Sequence, residues 1–144
     1  MANEISFRSS VNIKKGKLDY RSSPTSFNAD IVASVIKGPT PGAISIPIGG
    51  VAVDLSQLGT PGVAWFHNQD DTEWVEVGIH DGSIFHPLLE LGPGECYPVR
   101  LSRHLNMRET VTGTGTISTE INDLWVKPLL AVPLGQVTIH AFER

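Results

Sequence analysis

Gly and Pro punctuate this chain too often for long helices to form. They number 14 and 10 in 144 residues, about one residue in six. Pro removes a backbone donor and blocks the helical turn before it, and interior Gly costs a helix about 1 kcal/mol relative to Ala. Thirteen Val, twelve Ile and ten Thr stand against eight Ala, a balance that favours strands. The β-rich runs recur every 8 to 15 residues with turn residues between them, which is the rhythm of a sandwich or barrel. Strands are expected over 4–13, 17–21, 28–36, 43–48, 51–55, 62–67, 73–80, 83–91, 95–102, 116–121, 124–128 and 136–142. The length fits one domain, and a chain of this size can bury a core without a disulfide or metal staple.

Thr40-Pro41-Gly42, Gly59-Thr60-Pro61-Gly62 and Gly92-Pro93-Gly94 read as the clearest breaks. Asp81-Gly82 between two β-rich runs predicts a two-residue hairpin turn. That turn would pair His80 with Ser83, Ile79 with Ile84, Val77 with His86 and Val75 with Leu88. Alternation then places Val75, Val77, Ile79, Ile84 and Leu88 on a core face, with Trp74, Glu76, His80 and Phe85 opposite. A second hairpin is expected between 62–67 and 73–80 through Asn68–Thr72, making the middle of the chain an antiparallel meander.

Composition excludes several classes. The net charge is −4 and no basic block exists, so the phosphate-neutralising stripe of a nucleic-acid binder is missing. The nearly uncharged run from Gly38 to Val53 holds three Pro and four Gly, which is incompatible with a membrane helix; an edge strand or interface arm is expected there. The first residues lack a cationic segment followed by an apolar core, so no secretory signal is expected. Cys96 is the single cysteine; no internal disulfide can form, and a quiet buried thiol is the expectation.

Catalytic and ligand chemistry finds little support. Of the histidines, His67, His80, His86, His104 and His140, none forms a His-x-His pair, and the hairpin puts His80 and His86 on opposite faces. Asp70, Asp71, Glu73 and Glu76 lack the spacing of a calcium loop. No nucleophile elbow or phosphate-cradling Gly-rich loop is present, so no cofactor is expected and the chain does not read as an enzyme. Trp65, Trp74, Trp125, Tyr20 and Tyr97 are candidates for stacking on sugars, against the commoner burial of Trp in a sandwich core.

One resemblance spans most of the chain. The opening leads to a Gly-centred turn at Lys15-Gly16-Lys17. There follow Leu58-Gly-Thr-Pro-Gly62, an aromatic strand, Asn68-Gln-Asp70, Trp74-Val-Glu-Val-Gly-Ile79, Phe85-His-Pro87, Pro93-Gly-Glu95 and Leu124-Trp-Val-Lys127. This order resembles a family of small structural proteins encoded by tailed bacteriophages. It departs from that family at Lys127-Pro128, where the family has Lys-Ala, and in a longer segment over 106–116.

The resemblance implies an all-β, jelly-roll-like antiparallel β-sandwich with an N-terminal arm over residues 1–25. It implies a capsid decoration or cement protein, made in the host cytoplasm and located on the virion. Its partners would be the major capsid protein or other virion proteins and itself, as a homotrimer, with neither nucleic acid nor membrane. The basic arm and acidic middle suit docking on a charged neighbour. The candidate partner contacts are Arg8, Lys14 and Lys15 on the arm and Arg103, His104 and Arg108 in the later loop. The alternatives are a tail, baseplate or fibre component, a carbohydrate-binding module and a metal-dependent cupin-like enzyme.

Overall fold

The computed structural model describes residues 5–29, 38–102, 123–131 and 135–143. Among these residues every regular element is a strand, and the neighbouring strands run antiparallel. The chain divides into two compact units, Met1–Ser34 and Val35–Arg144.

The first unit contains β1 (Ile5–Ser9), β2 (Asn12–Lys15), β3 (Leu18–Arg21) and β4 (Thr25–Ala29). β1 pairs with β4 and β2 with β3, so the unit is a nested hairpin, a two-stranded ribbon interrupted once. The expected strand over 4–13 therefore splits. At the break the Val11 N–H donates to Ser22 Oγ and the Ser22 N–H to the Val11 carbonyl, both at 2.8 Å. Gly16 and Lys17 make the tip, and Gly16 adopts the positive φ (60°) that such a short turn requires.

The second unit contains β5 (Thr40–Ser45), β6 (Val51–Ala52), β7 (Pro61–Asn68), β8 (Val75–His80), β9 (Phe85–Leu91), β10 (Cys96–Arg100), β11 (Asp123–Pro128) and β12 (Gln136–Glu143). Two four-stranded sheets form, in the orders β10-β7-β12-β5 and β6-β11-β8-β9. Pairing is nested here too: β8 with β9, β7 with β10, β6 with β11, β5 with β12. The added pairs β7–β12 and β8–β11 roll this long hairpin over on itself. That is the double-sheet topology of a jelly roll. Phe66, Ile46, Leu91, Ile139 and Val126 fill the space between the sheets.

The expected meander is corrected by this topology. β7 and β8 lie in different sheets, and residues 69–74 cross between them. Asn68 explains the crossing. It is fully buried, and its amide nitrogen donates to the carbonyls of Glu73 (2.7 Å), Gly92 (3.1 Å) and Leu91 (3.3 Å). Its side-chain oxygen accepts the Asp70 N–H at 3.0 Å. A buried amide with its hydrogen-bonding capacity filled fixes a corner that a strand-to-strand turn would leave unsatisfied.

The β8–β9 register is also corrected. The loop contains four residues, because Asp81 Oδ1 accepts the Ser83 and Ile84 N–H groups at 2.8 Å and the Asp81 N–H donates to the Ile84 carbonyl. His80 thus pairs with Phe85 and Ile79 with His86. A bulge beside Val77 then sets Leu89 opposite it and Leu91 opposite Val75. Leu89 and Leu91 pack with the core, while Ile84 and Leu88, expected inside, are exposed. Gly78 is required at this bulge: a Cβ there would stand 2.2 Å from the His86 carbonyl oxygen.

Thr40-Pro41-Gly42 proves to be part of β5 rather than a break; among the described strands β5 pairs with β12 alone, and a sheet edge tolerates Pro. The expectation of an edge strand in the 38–53 stretch is met by β5 and β6. The expected strand over 28–36 runs past Ala29 into residues outside the described ones, and that over 116–121 lies wholly outside them.

Candidate functional site: two exposed apolar surfaces

The first surface is the tip of the ribbon. Ile13 pairs with Tyr20 and Lys15 with Leu18, so alternation puts all four side chains on one face. Asn12, Lys14, Asp19 and Arg21 occupy the other face, with Arg21 Nε 3.5 Å from Asp19 Oδ1. Val11, Ile13, Leu18 and Tyr20 are each between 46% and 56% exposed. A clustered stripe of exposed large apolar side chains marks an interaction surface, whereas scattered single residues do not. Residues 5–29 hold Arg8, Lys14, Lys15, Lys17 and Arg21 against Asp19 alone, a net charge of +4.

The second surface is one end of the jelly roll, where the links 69–74 and 92–95 meet residues 129–131 and Gly135. The Leu129 N–H donates to the Trp74 carbonyl at 3.0 Å, and the Cη2 edge of the Trp74 ring would stand 3.3 Å from a Cβ at Gly92. Trp74, Leu129 and Leu130 are between 42% and 60% exposed. Asp70 ties the links together. Its Oδ1 accepts the Thr72 and Glu73 N–H groups at 2.9 Å and its Oδ2 the Gly135 N–H at 3.2 Å. These three backbone donors, Thr72 first, lower its pKa to about 2. Glu95 Oε2 accepts the Gly92 N–H at 2.8 Å, and Asp71 and Glu95 are exposed. Residues 35–144 hold six Lys or Arg against twelve Asp or Glu.

Of the contacts expected from the sequence, Arg8 is exposed on β1, Lys14 is exposed across from Asp19, and Lys15 is exposed within the apolar face. Arg103, His104 and Arg108 lie outside the described residues. Among the described residues the histidines do not converge on one site. His67 and His140 flank Trp65 with ring centroids 5.2 and 5.5 Å away, and His80 stacks on Trp125 at 4.4 Å. His86 Nε2 sits 3.1 Å from Asp81 Oδ2. The Ile84 backbone donor first, then His86 and Ser83, hold Asp81 well below the usual carboxylate range. Among the described residues no three His, Cys, Asp or Glu side chains are placed to hold a metal.

Two expectations about burial are corrected. Cys96 is exposed, because β10 is a sheet edge and Cys96 pairs with His67 on the face away from the core. None of the three tryptophans is in the core: Trp65 and Trp125 are half-buried and Trp74 is exposed. Trp65 and Trp125 stand on different sheets and Trp74 at the loop end, so they make no shared platform. The apolar stripe of the ribbon went unread in the sequence, although Ile13-x-Lys15 and Leu18-x-Tyr20 around the Gly16-Lys17 turn encode it. The grouping of Trp74 with Leu129 and Leu130 has no local signal. No protein family, curated protein or solved structure matches the chain.

Proposed function

We propose that the chain is a virion structural protein of a tailed bacteriophage, a capsid decoration or cement protein that binds the major capsid protein lattice as a homotrimer and stiffens the shell. The phage assignment rests on the order of motifs from Lys15-Gly16-Lys17 to Leu124-Trp-Val-Lys127. The observation that carries the adhesive role is the exposed apolar face of the ribbon. Covering such a face gains about 25 cal/mol per Å² removed from water. Each interface of ordinary size buries roughly 1,600 Å², and many copies on one particle add through effective concentration. Arg8, Lys14 and Lys15 supply contacts to an acidic neighbour, and Arg103, His104 and Arg108 are assigned the same role from the sequence. The role is mechanical and uses no cofactor.

The test is to add the purified chain to capsids that lack it. Saturable co-sedimentation with the shell and a higher temperature of genome release are the expected results. Attachment to tails instead would make it a tail component, and no attachment to any particle would end the virion reading. One observation favours a second reading, a carbohydrate-binding module: Trp74 presents an exposed ring at the loop end. Glycan-array binding lost in Trp74→Ala would establish it.

A further inference from the structure

We infer that the ribbon of one copy docks, head to tail, on the loop end of a second copy of this chain. The inference deepens the adhesive reading by naming a partner, and it rests on that reading only for its biological setting. Both surfaces present exposed apolar side chains: Ile13, Leu18 and Tyr20 on the ribbon, and Trp74, Leu129 and Leu130 on the loop end. A two-stranded ribbon by itself is marginal in water, so covering its exposed Ile13, Leu18 and Tyr20 adds packing to it.

Charge selects the pairing. A ribbon-on-ribbon contact would bring two +4 segments together, with Lys15 of each copy inside the contact. A contact between two loop ends would oppose the carboxylates of Asp71 and Glu95 across the interface. Ribbon on loop end is the one combination in which apolar area meets apolar area and opposite charges face each other. Such a contact uses two different patches, so each copy both gives and receives. Repetition closes it into a ring or extends it, and either form presents the chain as a multimer to a larger lattice.

The experiment uses the full chain alone, with no capsid present. Light scattering after size exclusion, from micromolar to millimolar concentration, is expected to show concentration-dependent association that weakens with added salt. Leu18→Asp on the ribbon and Leu130→Asp on the loop end each weaken it by at least about tenfold. Both positions are exposed, and circular dichroism checks that the fold is kept. Lys15→Glu and Asp71→Lys provide a milder pair with the same expected direction. The deciding step is to mix the ribbon variant with the loop-end variant. Each still owns one intact surface, so a one-to-one heterodimer forms. A wild-type chain that is monomeric throughout overturns the inference, as does a mixture that stays monomeric. Either result leaves capsid binding itself, measured separately, standing, and a chain monomeric throughout removes only the homotrimer from that reading.

Discussion

The ribbon and the jelly roll are built by the same rule and end in opposite states. Each is a hairpin with its outermost strands paired, β1 with β4 in one and β5 with β12 in the other. The jelly-roll hairpin has four nested pairs, enough to bend over and close two sheets on each other, and Val75, Val126, Val137 and Ile139 lose all contact with water. Among its described residues the ribbon has two pairs and no second layer, and Ile13, Leu18 and Tyr20 stay exposed. Backbone pairing is thus shared by both regions. Burial between layers is what separates a stable unit from one that depends on a neighbour.

The comparison breaks most visibly under truncation of the core. All three tryptophans belong to the jelly-roll unit, so their fluorescence follows its unfolding in denaturant. Phe66→Ala is expected to destabilise that unit by about 4 kcal/mol, because Phe66 is buried between the sheets. Asn68→Ala follows at about 3 kcal/mol, since the buried amide's bonds to the Glu73, Leu91 and Gly92 carbonyls and to the Asp70 N–H are lost together at this corner. Asp70→Ala costs about 2 kcal/mol at neutral pH by freeing the Thr72, Glu73 and Gly135 donors.

Asp70 also gives the jelly roll an acid limit. Its pKa of about 2 in the folded chain lies below the unfolded value of about 3.9, so its contribution is full above about pH 4 and disappears as pH falls towards 2. Melts across that window should show a shallower acid loss in Asp70→Ala, with Asp81 supplying part of the slope that remains. The smallest effect belongs to the ribbon. Ile13→Ala and Leu18→Ala in the isolated copy are expected to change stability by less than about 0.5 kcal/mol, measured in denaturant by far-ultraviolet circular dichroism, because the tryptophans report on the jelly-roll unit alone. A loss near that of Phe66→Ala would mean that the ribbon is stabilised as the core is.

Much of the fold was legible along the chain. β-Branched runs and turn residues mark most strands, and the Gly-centred turn expected at Lys15-Gly16-Lys17 is present at Gly16-Lys17, with Lys15 closing β2. Errors came where tertiary contacts outweigh local signals. Asp81-Gly82 looks like a two-residue turn, yet the Asp81 carboxylate also captures Ile84, and the bulge beside Val77 changes which leucines face inward. Asn68-Gln-Asp-Asp-Thr72 looks like a hairpin loop, yet Asn68 is a buried corner. The exposed cations Arg8, Lys14 and Lys15 were visible as charge, but the apolar face beside them needed a register before it could be seen.

By itself, the sequence determined the class of structure: with Gly and Pro this frequent and Val, Ile and Thr this abundant, only short strands and turns are sterically and entropically favourable. It also set the charge contrast between the basic first unit and the acidic second. Only the tertiary structure decided which strands became neighbours, and so which apolar side chains were covered and which stayed in water. The reason is that alternation along a strand assigns a side chain to one of two faces, whereas burial depends on whether a distant segment, such as β12 against β5 and β7, arrives to cover that face.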